Sequence, residues 1–404
     1  MDRGGGAGRR VGPRRPGRPH RGALCESPGD PGPSDVSPKA HGPMKVTFVL
    51  PAASFTGGAR VAFDYADLLR AAGHDTAVLF PMIPYRFRDS ARRLSGVRAW
   101  LGGLKNNVLH GTNPPRQPLL RQIRMVPRIN NRFVPDADAI VATAWPTAHS
   151  ISRLSPRKGA KCYIVQHREI DSGLPEDVDA TYRLPLFRIA GSEYTARLLR
   201  EEVGVEAEAV VRNGIDVSFW SRGSLPRPAR SGVLMPHAPG ERKGARDGFA
   251  AFERVRREIP TSRLRCFGRR RTEDLPEFVD YVENPDDDAL RRLYAEAAVL
   301  LFPSRYEGYG LPPLEAMAGG CAVVSTRVGA VPEIIEDGVN GLLVPPEDVE
   351  GMAGAMLRLL RHADLRARMG EEGRARARGF DVSVAARQFE QALRRAVERG
   401  GGGS

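Results

Sequence analysis

Residues 304–317 read Ser304-Arg305-Tyr306-Glu307-Gly308-Tyr309-Gly310-Leu311-Pro312-Pro313-Leu314-Glu315-Ala316-Met317. Just upstream, Ala298-Val299-Leu300-Leu301-Phe302-Pro303 is apolar and of strand length, and Leu314 to Ala318 are good helix formers. The pattern predicts a buried strand, a glycine loop and a helix start. A loop at the carboxyl end of a buried parallel strand is where open α/β sheets place ligands.

The loop has the chemistry of a phosphate site. Gly308 and Gly310 let the main chain approach a ligand closely, and Pro312 or Pro313 suits a first helical turn, where a missing N–H costs nothing. The amides of Tyr309, Gly310 and Leu311 are then left to face an anion at the positive end of the helix. Glu307 and Glu315 would repel a phosphate, so their expected partners are hydroxyls. A ligand with both kinds of group is a nucleotide sugar.

Glu307-x7-Glu315, with Glu-Gly-Tyr-Gly-Leu-Pro inside it, resembles the donor-site signature of the family-4 retaining glycosyltransferases (glycosyl transferases group 1) of the GT-B fold. The likeness continues through Cys321 to Thr326, Gly329 to Ile335 and Asp337 to Pro345. It implies an α/β architecture of two doubly wound Rossmann-like domains facing a cleft, with a C-terminal helix crossing back to the first domain. It also implies transfer of a sugar from a nucleotide-diphosphate sugar to an acceptor hydroxyl with retention of configuration. The expected acceptor is a glycan, a lipid-linked glycan or a small glycoside. Two alternatives remain open: a GT-B relative of epimerase or phosphorylase type, and a catalytically silent assembly partner.

Site roles follow from the resemblance residue by residue. Gly57-Gly58, after the first strand Lys45–Leu50, is similar to the family's first loop, which touches donor phosphate or acceptor; a tight turn explains two glycines equally well. His167 falls at a strand end where the family places a histidine near the transferred sugar, with Glu169 a weaker candidate that could simply face solvent. In Gly240-Glu241-Arg242-Lys243-Gly244, Lys243 matches the family's diphosphate-clamping lysine. Pro236-His237 replaces the usual Gly-Arg pair, and a histidine with an ordinary pKa of about 6.5 is a less dependable cation than arginine. Arg242 is the candidate to replace the missing charge. Lys243, Glu307 and His167 are thus the expected catalytic residues. Glu315, Arg242, His237, Tyr309, Gly310, Leu311, Gly57 and Gly58 are expected to bind the donor. No metal is required where lysine and amides hold the diphosphate, and no other cofactor is expected.

Short apolar runs alternate with helical patterns from Met44 onward, which predicts parallel sheets covered by helices. With 404 residues the chain exceeds one ordinary core. The expected organisation is a disordered Gly/Pro/Arg-rich segment over 1–43, an acceptor domain over 44–222, a donor domain over 223–380, a crossover helix over 381–399 and a Gly/Ser tail over 400–404. Asn213-Gly214-Ile215-Asp216 resembles the family's domain junction. Met44 is a possible natural start of the chain, since a strand begins there.

The net charge of +13 is partly an end effect: residues 1–43 hold eight Lys and Arg against four Asp and Glu. No nucleic-acid motif or aromatic-interleaved patch accompanies it. Between Pro84 and Arg132, Leu94, Val97, Leu101 and Leu104 recur at helical spacing among Arg92, Arg93, Arg98 and Lys105. Such a helix can lie on an anionic membrane surface, or it can pack its stripe into the core with its arginines in water. No apolar run approaches the roughly 18 residues of a membrane span, no secretory signal is evident, and the four cysteines lack metal or disulfide spacing. A cytoplasmic setting is expected, with peripheral contact at the inner face of a membrane as the variant.

Overall fold

The computed structural model describes residues 1, 42–52, 57–85, 123–170, 172–223, 230–273 and 275–401. The chain divides into two compact units, Met1–Gly42 and Pro43–Ser404, and everything below concerns the second. Residues 2–41 of the segment expected to be disordered, and most of the basic stretch, including its helical stripe, lie outside the described residues.

Two wholly parallel sheets carry the fold. The first contains β1 (Lys45–Val49), β2 (Asp75–Pro81), β3 (Ile123–Val126), β4 (Ala139–Ala142), β5 (Ala160–Val165), β6 (Phe187–Ala190) and β7 (Ala209–Val210) in the order β3-β2-β1-β4-β5-β6-β7. The second contains β8 (Ser231–Pro236), β9 (Leu264–Gly268), β10 (Val279–Glu283), β11 (Ala297–Phe302), β12 (Ala322–Thr326) and β13 (Leu342–Val344) in the order β10-β9-β8-β11-β12-β13. Each order reverses once, between β1 and β4 and between β8 and β11, and a crevice opens at such a reversal. β11 is buried at every residue, as a strand covered by helices on both faces must be.

Three elements depart from expectation. Gly57 and Gly58 begin the helix Gly57–Ala71 instead of lying in the loop before it; residues 53–56 of that loop lie outside the described residues. β3 is an edge strand inside the basic stretch, and its two central residues, Arg124 and Met125, are exposed, which hid the apolar signal. The last helix runs from Val382 to Gly401, past the expected end at residue 399 and into the expected tail.

The chain passes between the two sheets twice. The crossings meet where the Ile215 amide donates to the Phe380 carbonyl at 2.9 Å and the Val382 amide to the Ile215 carbonyl at 2.9 Å. A methyl on Gly214 would lie 2.7 Å from the Val382 Cα, so only glycine lets the crossings touch. Beyond this joint the last helix returns to the first sheet. It buries Ala385, Phe389, Leu393 and Ala396 in the core that contains Phe48 and Tyr65, and Phe389 stacks on the Tyr65 ring at 4.5 Å.

Candidate active site

The loop after β11 and the turn after β8 are bound to each other by backbone. A methyl on Gly244 would fall 1.9 Å from the Pro303 carbonyl oxygen, and Gly244 holds φ +62°, a region that suits glycine. The Arg305 amide donates to the Arg242 carbonyl at 2.8 Å, and the Arg305 guanidinium grips buried Asp247 with two bonds of 2.7 Å each. This bidentate clamp fixes Lys243 opposite Glu307.

The result is a tight ion pair: Lys243 Nζ donates to Glu307 Oε1 at 2.5 Å, and Ser304 Oγ donates to the same oxygen at 2.8 Å. Glu307 is buried while a third of the Lys243 side chain faces solvent. The helix Leu311–Ala318 starts three residues after the loop's first glycine, with Gly310 as N-cap at φ +97° and prolines in the first turn. The Tyr309, Gly310 and Leu311 amides therefore stand at its open end, ahead of the first intrahelical hydrogen bonds. The Tyr309 ring is buried, its hydroxyl has no hydrogen-bond partner among the described residues, and burial raises its pKa. Leu311 packs against the cores of both sheets.

Glu315 is buried on that helix, and both its oxygens are held. Oε2 accepts from Tyr294 Oη at 2.9 Å, and Oε1 accepts from Arg60 Nη1 at 3.0 Å. Arg60 comes from the helix Gly57–Ala71 of the first sheet, so this bond spans the cleft. Burial works to lower the Arg60 pKa, but the Glu315 carboxylate and then Asp64 outweigh it and hold the guanidinium above its ordinary value. For Tyr294, burial and then Glu315 push the phenol well up, so it stays a donor.

Other contacts also close the cleft. His167 and Gln166, just past β5, touch Gly308: a methyl there would sit 2.6 Å from the Gln166 carbonyl oxygen and 2.8 Å from His167 Cβ. Tyr306 Oη donates to the Arg168 carbonyl at 3.2 Å. The Glu333 carboxylate accepts from the Tyr194 and Glu193 amides at 2.6 and 3.3 Å. Gln166 Nε2 also donates to the Gly58 carbonyl at 2.9 Å, which ties the glycine pair to the strand end that carries His167.

The structure thus gathers Lys243 and Glu307 into one pair, sets Gly310 at the head of the helix that bears Glu315, and brings His167 against the same loop. His237 has a different setting. It is buried beside Phe249 and edge-on to Tyr281 at 5.6 Å, with Thr272 Oγ1 3.5 Å from Nε2, the environment of a packed ring. The Arg242 guanidinium lies over the Tyr306 ring at 5.3 Å. Glu169 does not face solvent with its carboxyl: Oε1 accepts from the Trp145 amide at 3.0 Å and from Tyr163 Oη at 3.1 Å, and burial pushes its pKa up to about 7. Among the described residues no group of three or more His, Cys, Asp or Glu is placed to hold a metal ion.

Arg60, Tyr294, Ser304, Asp247 and Glu333 escaped the sequence reading. Arg60 is 255 positions from Glu315, a separation at which no local pattern announces a contact. Gly244 beside Lys243 was the one local sign that the turn approaches another backbone.

Residues 233–362 match the family model for glycosyl transferases group 1. The chain is 26% identical over 360 residues to the phosphatidyl-myo-inositol mannosyltransferase of Mycolicibacterium smegmatis, covering 80% of this chain and 86% of that one. Among solved structures, sucrose-phosphate synthase from Thermosynechococcus elongatus superposes with TM-score 0.65 at 17% identity, over 87% of this chain and 98% of the other. Anabaena HepE in complex with UDP-glucose superposes with TM-score 0.63 at 18% identity, over 87% of this chain and 99% of the other. The two sheets and these neighbours establish the GT-B fold, and the match over 233–362 together with the mannosyltransferase relative supports a glycosyltransferase.

Proposed function

We propose that the chain transfers a sugar from a nucleoside-diphosphate sugar to an acceptor hydroxyl with retention of anomeric configuration. The Lys243–Glu307 pair at the carboxyl end of β11 carries this conclusion. A cation and an anion held together at a sheet reversal, beside an open helix start, suit a ligand with a phosphate end and a hydroxyl end. When the donor enters, Lys243 turns to the diphosphate together with the amides near Gly310, and Glu307 is left to accept from sugar hydroxyls. Glu315 takes the ribose hydroxyls. His167, against Gly308, stands at the transferred sugar.

In the reaction the bond between the anomeric carbon and the β-phosphate oxygen breaks. The acceptor oxygen bonds to that carbon from the same face, and the acceptor proton passes to the departing phosphate. Positioned charge on the leaving group is usually the largest catalytic contribution, and here Lys243 and the helix amides supply it, so turnover is expected to survive chelation. The acceptor enters from the first sheet. Similarity to a mannosyltransferase named for phosphatidyl-myo-inositol supports a lipid-linked acceptor, and peripheral contact with an anionic membrane would then be expected to appear as salt-sensitive sedimentation with anionic vesicles.

A thermal-shift panel of UDP-, GDP-, ADP- and dTDP-sugars tests donor binding, because a ligand of the folded state raises its melting point. NMR of the product made with the best donor tests the stereochemistry. Stabilisation by at least one donor and a product of unchanged anomeric configuration are expected. An inverted product overturns retention, and silence across the panel overturns donor binding.

A further inference from the structure

We infer that Arg60 is a positioning residue for the donor: a latch across the cleft that occupies the ribose carboxylate while the site is empty and moves to Asp64 when the nucleotide arrives. This rests on the assignment of Glu315 to the ribose in the proposed function. Both Glu315 oxygens are engaged, Oε2 by Tyr294 and Oε1 by Arg60, so a ribose diol that takes the carboxylate with both hydroxyls must displace one of them. Tyr294 is fully buried in the same half as Glu315, and its ring packs edge-on against Trp220 and Phe267. Arg60 belongs to the opposite half, and its side chain is 30% exposed. The arginine is therefore the partner that can leave.

A second position already exists. Asp64, one turn further along the same helix, has Oδ2 4.0 Å from Arg60 Nε, and its side chain is 40% exposed. A guanidinium displaced from Glu315 can pair there while keeping its charge compensated, with no rearrangement of the helix. The Trp220 ring, 5.3 Å from Arg60 Cζ, gives the guanidinium a flat surface in the latched state. Because the Arg60–Glu315 bond spans the cleft, it favours closure of the empty protein. The same bond competes with the nucleotide, so ribose occupancy and domain contact are linked through one side chain.

The test is calorimetric binding of UDP, GDP and ADP and of their 2′,3′-dideoxy forms to the full chain, in the wild type, Arg60→Ala, Asp64→Asn, the double variant and Glu315→Gln. Folding of each is checked by circular dichroism. For the nucleotide that binds, Arg60→Ala should tighten affinity by about fivefold, the scale of releasing a part-exposed ion pair. The dideoxy form should change by less than about twofold, because it asks nothing of Glu315. Asp64→Asn should weaken the ribose form when Arg60 is present and be silent in the Arg60→Ala background, a coupling that the double-mutant cycle isolates. Equal weakening of both nucleotides by Arg60→Ala overturns the latch, since Arg60 would then act as a scaffold or touch the nucleotide itself. Glu315→Gln that leaves the preference for ribose over dideoxyribose intact overturns the ribose assignment instead, and so separates the two failures.

Discussion

Gly308 and Gln166 meet backbone to backbone across the cleft, where a β-carbon on the glycine would stand 2.6 Å from the glutamine carbonyl oxygen. That distance is below any real carbon contact, and main chain lies on both sides, so a side chain at 308 can be admitted only by opening the cleft. Gly308→Ala should therefore lower kcat/KM on the order of 10²-fold, the cost of misplacing reacting groups by about an ångström. Small-angle scattering should show a larger radius of gyration for the variant. An unchanged radius with full activity would contradict the closed contact as the working state.

Lys243→Ala removes the cation paired with Glu307 at 2.5 Å. Turnover should fall on the order of 10²-fold, as when one oxyanion donor is removed. Lys243→Arg should recover part of it, and the loss should appear in kcat more than in KM. Steady-state kinetics with the best donor of the panel decide this, and unchanged kinetics reject Lys243 as the diphosphate cation.

Glu333 caps the Tyr194 and Glu193 amides from the other half of the molecule at 2.6 and 3.3 Å. These amides open the helix Glu193–Leu198, and Glu333→Ala leaves them without that acceptor, a loss of about 1 kcal/mol. A lower denaturant midpoint is expected, with Glu333→Gln in between.

The Glu169 carboxyl keeps its proton up to about pH 7 in the folded chain, whereas its ordinary pKa is 4.5. Between those values the native state binds more protons than the unfolded one. Stability thus falls as pH rises through that window and levels off above it. The change is on the order of 3 kcal/mol, at about 1.4 kcal/mol per pKa unit. Glu169→Gln should flatten this part of the curve when denaturant midpoints are followed from pH 5 to 8.

Phe389 anchors the returning helix, fully buried and stacked on Tyr65 at 4.5 Å. Phe389→Ala should cost about 3–5 kcal/mol by opening a cavity. Fluorescence-monitored unfolding should report the loss, and Phe389→Leu, which removes less volume but still the ring stacked on Tyr65, should cost less.

The strand, loop and helix around Glu307 were legible because each has a local cause. Ala297–Phe302 is a short apolar run, Gly310 stands where φ is positive, and the prolines fall in the first helical turn. The return helix was expected only from what the family resemblance implies, and it packs on the first sheet through Phe389. Other features left no such trace. β3 is an edge strand with exposed central residues, so its alternation is weak. His237 stands where the resembling family has an arginine, and its burial beside Phe249 and edge-on to Tyr281 shows only in the packing.

From sequence alone came two parallel-sheet halves, the glycine loop and the two glutamates with the lysine that faces one of them. All of these rest on periodicity, glycine and proline placement, or a long run of matching residues. Which partner each carboxylate takes was decided only by the tertiary structure. Glu307 is paired by a turn that Gly244 lets approach, and Glu315 by an arginine 255 residues away. Such partners depend on how two separately wound sheets close on each other, and that distance between chain positions leaves no periodic mark in the chain.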